Sequence, residues 1–324
     1  MSKSAANSMF SSVLEDIHER HKTLSEGQVA DYIPALAKAN PEHFGIALLT
    51  ANGDLFTVGE TEVPFTVQSI SKPFILGMAL DACGPEKTYQ CVGTQPISDA
   101  FNSITLDETT GRPFNPMLNA GAIALTALIH DVYGEEAFPR ILTTLSNLAG
   151  RQLDVDEEVY TSEKNTGFRN RAMAYLMRNT NILNDPVEEK LDLYFRQCSI
   201  RVTARDLAVM AATLANIGKN PLTSESVFGP LTVRHVISVM FTCGMYNYAG
   251  QWAVDIGLPA KSGVSGGIMA TVNRQLGIGI YSPPLDQYGN SVRGLQSCID
   301  LVEEFGLHPF EFTNAGSGML ESYI

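Results

Sequence analysis

Ser69-Ile70-Ser71-Lys72 places a hydroxyl and a primary amine three residues apart. On a helix, positions i and i+3 lie on one face, so the Lys72 amine can reach the Ser69 hydroxyl and take its proton. A nucleophile beside a base is the arrangement that acyl transfer needs. Ser71 is a nucleophile of the same type, but no lysine follows it one turn on. Lys72 works as a base only if it is neutral near pH 7. Burial and a second cation such as Lys261 would both lower its pKa. Pro73 lacks an N–H and is best tolerated in the first turn of a helix. The helix therefore starts at or near this step, where its N–H groups are free for a developing oxyanion.

A second feature lies toward the other end of the chain. Lys261-Ser262-Gly263 opens a glycine-rich run that continues through Gly267. It lacks the G-x-x-x-x-G-K-[ST] order of a phosphate loop, and alone it reads as a tight turn into a strand. Behind Ser-x-x-Lys, however, Lys-Ser-Gly completes a two-part pattern of serine acyl-transfer enzymes. Other polar residues read blandly by themselves. Asn119 stands just before an apolar helix, the place of an N-cap. Glu163 and Asn170 are seven residues apart and share a face if one helix carries both. Tyr194 and Tyr246 lie among small residues, in positions that suit packing.

The elements needed to hold these residues can be read from periodicity. Phe10, Val13, Leu14 and Ile17 form one face of an amphipathic helix within Met1–Lys22. Tyr32–Ala37 reads as a short helix. Gly45–Thr50 and Leu55–Val58 are apolar runs joined by Asn52-Gly53, a strong hairpin signal. Val63–Val67 is a strand or a loop leading to Ser69. From Pro73 to Gly244 the spacing is mostly helical. Thr203 with Asp206 resembles a capping box, Thr232 is read as opening Val233–Thr242, and Gly244 as its C-terminal cap. Gly267–Val272 and Leu276–Tyr281 are strand-like, and Val292–Phe305 is a last helix. Strands at both ends and helices between them imply one α+β unit over residues 1–324. A mainly antiparallel sheet lobe takes about 1–72 plus 248–324, and a helical lobe takes about 73–247. A site would lie between the lobes.

Composition excludes several classes. The net charge of −13 over 324 residues argues against a nucleic-acid partner, because phosphate binding needs a basic surface. The longest apolar stretches, Ala120–Ile129 and Val236–Phe241, fall far short of the roughly 20 residues of a membrane span. Met1–Lys22 has no apolar core of a signal peptide, so the expected location is cytoplasmic. Cys83, Cys91, Cys198, Cys243 and Cys298 are dispersed and odd in number, which implies reduced thiols. None of the six histidines falls in a metal-binding spacing, and no metal or organic cofactor is expected.

Together these residues resemble the serine-dependent glutaminases of the β-lactamase/transpeptidase-like superfamily. The resemblance runs from Tyr32 to about Tyr288. It rests on Gln68-Ser69-Ile70-Ser71-Lys72, on Asn115-Pro116-Met117 through Asn119-Ala120-Gly121-Ala122, on Gln197-Cys198-Ser199, on Thr242-Cys243-Gly244-Met245-Tyr246 and on Pro259–Gly267. It implies that fold, L-glutamine as substrate, and a homo-oligomer, dimer or tetramer. It also implies roles. Ser69 would be the nucleophile and Lys72 its base, with Lys261 keeping Lys72 neutral. The N–H groups of Ser69 and Val264 would form the oxyanion hole. Glu163 would pair the substrate ammonium, and Asn119, Asn170 and Tyr194 would hold the α-amino-acid end. Tyr32 and Tyr246 would stand close to the nucleophile, Tyr246 as a proton shuttle. The chain departs from many relatives in Asn247-Tyr248-Ala249-Gly250, where Asp-x-Ser-Gly is common, and in Pro73. Two other readings are a β-lactamase or peptidoglycan peptidase on the same fold, and an amino-acid sensor without turnover.

Overall fold

Asn52-Gly53 makes the hairpin its sequence calls for, joining β1 (Gly45–Thr50) to β2 (Leu55–Gly59). Next, β3 (Phe65–Thr66) pairs with β4 (Arg201–Val202) in a separate two-stranded ladder. Three strands near the end of the chain, β5 (Ala260–Gly263), β6 (Gly267–Val272) and β7 (Leu276–Tyr281), complete the main sheet. Its order is β2-β1-β7-β6-β5, with every pairing antiparallel. The first and last parts of the chain thus meet in one sheet, and β7 sits at its centre. The structure is a computed structural model that describes residues 3–97 and 103–311. Met1 and Ser2 of the expected first helix, and 312–324 of the expected sheet lobe, lie outside the described residues.

The helices follow in chain order. They are α1 (Lys3–His21), α2 (Lys72–Cys91), α3 (Asn119–Tyr133), α4 (Ala137–Ala149), α5 (Glu157–Thr166), α6 (Phe168–Asn179), α7 (Val187–Cys198), α8 (Ala204–Ala215), α9 (Pro230–Cys243), α10 (Ala249–Asp255) and α11 (Val292–Phe305). One sheet face buries Ile46, Leu48, Ile278 and Ile280 against Leu14 and Ile17 of α1 and Cys298, Leu301 and Val302 of α11. The opposite face buries Ala47 and Leu49 against Ala208, Val209 and Ala212 of α8. In the register of β1 with β7, Ala47 stands opposite Gly279 and Leu49 opposite Gly277. A Cβ on Gly277 would come within 2.1 Å of Ala212 N, and one on Gly279 within 2.1 Å of Ala204 O. The alanines of α8 and the glycines of β7 therefore let a helix backbone lie directly on a strand. Away from the sheet, α2 and α3 pack on each other, with α9 against α2 and α6 and α7 against α3. The first turns of α2, from Lys72 to Leu80, and those of α3, from Asn119 to Ile129, are buried all round.

Several sequence expectations change in detail. Tyr32–Ala37 yields only a single 3₁₀ turn at Leu36–Lys38. Thr203 and Asp206 do form a capping box, with Asp in place of Glu. Thr232 caps nothing. The helix starts two residues earlier at Pro230, with Gly229 at the cap position, and the Thr232 hydroxyl donates to Asp81 of α2 instead. Proline at the first helical position supplies the start signal that Thr232 was read to give. All five cysteines are free thiols, Cys198, Cys243 and Cys298 buried and Cys83 and Cys91 partly so. Among the described residues no helix is long and apolar enough to cross a membrane.

Gly279→Val should test the strand–helix approach. Overpacking costs about 1–3 kcal/mol, and more where backbone is in the way. The urea midpoint should fall by at least that equivalent, and an unchanged midpoint would mean that α8 does not rest on β7.

Candidate active site

Ser69 lies in a 3₁₀ turn, Gln68–Ser71, which runs directly into α2 at Lys72. In such a turn residues i and i+3 eclipse, so Ser69 and Lys72 share one side, as the Ser-x-x-Lys spacing requires. Pro73 falls in the first turn of α2, where its missing N–H costs nothing. Gln68, immediately before Ser69, stands at a φ of 47°. A non-glycine residue there costs about 1–3 kcal/mol and persists only where its surroundings hold it. Tyr246 has the same anomaly, at a φ of 56°. One precedes Ser69 in the chain, and the phenol of the other bonds to it.

Ser69 is buried and shares a side-chain hydrogen bond with the Tyr246 phenol. That phenol donates to the Ser262 carbonyl at 2.9 Å, and Lys261 Nζ donates to the same carbonyl at 2.6 Å. The Lys261 ammonium position also stacks over the Tyr246 ring, 4.0 Å from its centroid. Lys72, 1% exposed, donates to Asn119 Oδ1 at 2.6 Å and to the Met117 carbonyl at 3.1 Å. Asn119 in turn donates Nδ2 to Asn170 Oδ1 at 3.1 Å. The N-cap reading of Asn119 is thus corrected. It is the first residue of α3, Leu118 holds the cap position, and the amide side chain serves Lys72 and Asn170. Glu163 and Asn170 sit on two helices, α5 and α6, rather than on one.

Electrostatics sets these groups apart. Burial pushes the Lys72 amine down to about 8, while Cys198 and Glu163 pull it back up. Burial also pushes Lys261 well below the usual lysine range, and the charge of Lys72 adds to this. Desolvation is the largest cause for both amines. Glu163 is pushed up to about 8 by burial, with the Gln68 hydrogen bond and the Lys72 charge opposing. Its hydrogen-bond donor is Gln68 Nε2, at 3.4 Å. Among the described residues no Lys, Arg or His pairs directly with this carboxylate. Burial likewise raises the Tyr246 phenol.

The remaining expected residues gather at the same place. Tyr194 is buried, and burial together with Cys198 and Glu163 raises its phenol. Tyr32 is 56% exposed as a residue. Its hydroxyl end is nonetheless buried, and that burial, with Tyr246 and Glu163 nearby, raises its pKa well above the usual range. Val264 is buried in the turn between β5 and β6. Its neighbour Ser265 donates to the Thr66 carbonyl at 2.7 Å, and a Cβ on its other neighbour, Gly263, would lie 3.2 Å from the Val67 carbonyl. The glycine-rich turn thus abuts the segment that leads into Ser69. Among the described residues neither the Ser69 nor the Val264 N–H is given to a protein acceptor. A cleft of about 470 Å³ lined by Asn115, Met117, Leu118, Tyr246 and Asn247 adjoins this group. Among the described residues no set of three or more His, Cys, Asp or Glu side chains could hold a metal.

Sequence spacing had no signal for several participants. Gln68 touches Glu163 from 95 positions away. The Met117 and Ser262 carbonyls are backbone atoms, invisible as residue types. Cys198 adjoins Lys72, Glu163 and Tyr194 and would have passed for packing.

Comparison with known proteins bears on this geometry. The family model for glutaminase matches residues 27–310. A glutaminase of Trichormus variabilis is 51% identical over 306 residues, covering 94% of this chain and 92% of its own. One from Microcystis aeruginosa is 52% identical over 301 residues, covering 93% and 89%. Among solved structures, the probable glutaminase ybaS superposes with a TM-score of 0.90 at 38% identity, covering 93% of this chain and 98% of that one. Mglu in its glutamate form superposes with a TM-score of 0.87 at 42% identity, covering 92% and 69%. The antiparallel sheet with its helices is the β-lactamase-like fold of these structures.

The raised pKa of Glu163 has a stability signature. Its proton is held more tightly in the folded state, so the folded chain loses stability as pH rises from near 4.5 toward about 8. Glu163→Gln has no such proton. Urea unfolding across this range should show the difference growing in favour of the variant. A difference independent of pH would mean that Glu163 is ionised throughout.

Proposed function

This chain belongs to the glutaminase family, whose members are amidohydrolases, and we propose that it hydrolyses the side-chain amide of L-glutamine through an acyl-enzyme on Ser69. The reading rests on one observation above the others. A buried serine–lysine step stands beside a buried carboxylate, Glu163, that has no directly paired cation among the described residues. A free amino acid supplies that cation. Burying a carboxylate unpaired is costly, and a substrate ammonium within hydrogen-bonding reach restores the balance.

In this reading the α-ammonium of glutamine pairs with Glu163, while Asn119, Asn170, Tyr194 and Tyr32 hold the α-amino-acid end. The amide carbon then meets Ser69. Neutral Lys72 takes the hydroxyl proton, with Tyr246 relaying it, and Ser69 Oγ adds to the carbonyl carbon. Negative charge develops on the carbonyl oxygen, toward the Ser69 and Val264 N–H groups. The carbon–nitrogen bond breaks, the nitrogen takes a proton and ammonia leaves. Water then attacks the γ-glutamyl ester, giving L-glutamate and restoring the serine hydroxyl. The unused N–H groups, the lowered Lys72 pKa and the Tyr246 contact all support these roles. The name of the relative solved in its glutamate form agrees with the expected product.

Ammonia release from L-glutamine by wild type and Ser69→Ala tests the proposal, with asparagine and a chromogenic β-lactam in parallel. Glutamine turnover should fall at least about ten-thousandfold in the variant. Hydrolysis of the β-lactam in preference to glutamine would favour the peptidase-like reading. Glutamine binding without turnover by wild type would favour a sensor.

The pH profile provides a second test. Lys72 must lose a proton to act as base and Glu163 must lose one to grip ammonium, and both titrate near 8. The profile of kcat/KM should therefore climb more steeply than one proton between pH 6 and 8, then level off. Glu163→Gln should reduce this to a single-proton rise and lower kcat/KM by roughly a hundredfold. An unchanged slope would remove Glu163 from substrate recognition.

A further inference from the structure

A hydrogen-bond chain lies beneath the turn that carries Ser69. Thr126 on α3, Gln197 on α7 and Ser71 in the turn are all fully buried. Thr126 Oγ1 donates to Gln197 Oε1 at 3.0 Å. Gln197 Nε2 donates to Ser71 Oγ at 3.2 Å. Ser71 Oγ donates to the Gln68 carbonyl at 2.8 Å. The directions follow from atom types, because an amide oxygen only accepts and an amide nitrogen only donates. With the Gln197 nitrogen on its lone pair, the Ser71 hydroxyl has one proton to give and gives it to Gln68 O, with the Cys198 thiol also within hydrogen-bonding reach of that hydroxyl.

That carbonyl belongs to the same peptide group as the Ser69 N–H. A trans peptide is planar, so its C=O and N–H point in opposite directions. Pinning the oxygen toward Ser71 pins the Ser69 N–H toward the other side of the turn. The pinned peptide follows Gln68, whose φ of 47° needs an outside restraint to persist. A carbonyl that accepts a hydrogen bond also makes the N–H of its own peptide a better donor. Burial of the whole chain keeps water from competing for any of these groups.

We propose that Gln197 is a positioning residue for acylation: through Ser71 it locks the Gln68–Ser69 peptide so that the Ser69 N–H is presented to the developing oxyanion. The proposal rests on the reading of Ser69 as nucleophile. It predicts an effect on the chemical step, while substrate affinity, set on the Glu163 side, stays nearly constant.

Steady-state kinetics on L-glutamine with Ser71→Ala, Gln197→Met and the double variant provide the test, with L-glutamate binding as a check on the folded site. Each single change should lower kcat by roughly tenfold to a few hundredfold, the range for disturbing one oxyanion donor, with KM within about threefold of wild type. The double variant should be no slower than the slower single one, because both act through one hydroxyl. Multiplying effects, a loss carried by KM, or wild-type kcat in either single variant would overturn the proposal.

Gln197→Glu covers the case in which methionine does not fold. When protonated, the introduced carboxyl can still donate to Ser71. When ionised it only accepts, and draws the Ser71 proton away from Gln68 O. The activity of this variant relative to wild type should therefore decline as pH rises, and a constant ratio would contradict the proposal. Ser69→Ala separates the two levels. If it is inactive while the Gln197 variants match wild type, only the positioning role fails. If it stays active, the nucleophile reading fails and the positioning role with it.

Discussion

Two amines buried in one polar pocket cannot both keep their protons, and this constraint organises the centre of the molecule. Lys72 and Lys261 are essentially without solvent exposure. Each charge would need water or counter-charge to be tolerated. The protein answers with oxygen atoms. Lys72 has the Met117 carbonyl and the Asn119 amide, and Lys261 has the Ser262 carbonyl and the face of Tyr246. The result is graded rather than uniform. Lys72 is brought down to about 8 by desolvation, and Lys261 is lowered well below the usual lysine range by burial, with the Lys72 charge adding to it. An amine that titrates near 8 can exist both with and without its proton under ordinary conditions, which an exposed lysine cannot.

The architecture makes that burial possible. Lys72 begins a helix with no exposed face over its first turns, and Lys261 lies on the edge strand β5 of a sheet covered on both sides. The two come from segments far apart in the chain. The ends of the chain must meet in the sheet, and β7 must accept α8 at backbone distance, before β5 and the turn that follows it can press against the Ser69 turn. The close contact of Gly277 and Gly279 with α8 thus belongs to the same construction as the site, although it lies outside it. Two of the positive-φ residues, Gln68 and Tyr246, stand beside Ser69, and the surrounding hydrogen bonds hold them there.

Much of this was legible in the residues, for identifiable reasons. The Asn-Gly hairpin, the short apolar runs of the last strands, the Thr203 capping box and the helix bounded by Val292 and Phe305 depend on local propensity, and they stand where the pattern put them. Ser-x-x-Lys was legible because its two members are one turn apart. The cap readings of Thr232 and Asn119 failed for one reason. Both are residue types that commonly cap helices, and in both the side chain is instead claimed by a partner distant in sequence, Asp81 for one and Lys72 with Asn170 for the other.

The sequence by itself determined which chemical groups are present, the helix start at Lys72-Pro73, the strand pattern at both ends and the family to which the chain belongs. These follow from residue type and short-range spacing. Tertiary structure decided the protonation balance, because desolvation depends on what covers a group and not on its neighbours in the chain. It decided that Glu163 faces Gln68 rather than a cation, that Tyr246 meets Ser69, and that the Gln68–Ser69 peptide is held from below by Ser71. Each of these joins segments or fixes backbone angles that no local pattern encodes. A hydrogen bond across 95 or 126 positions exists only once distant segments have packed on each other.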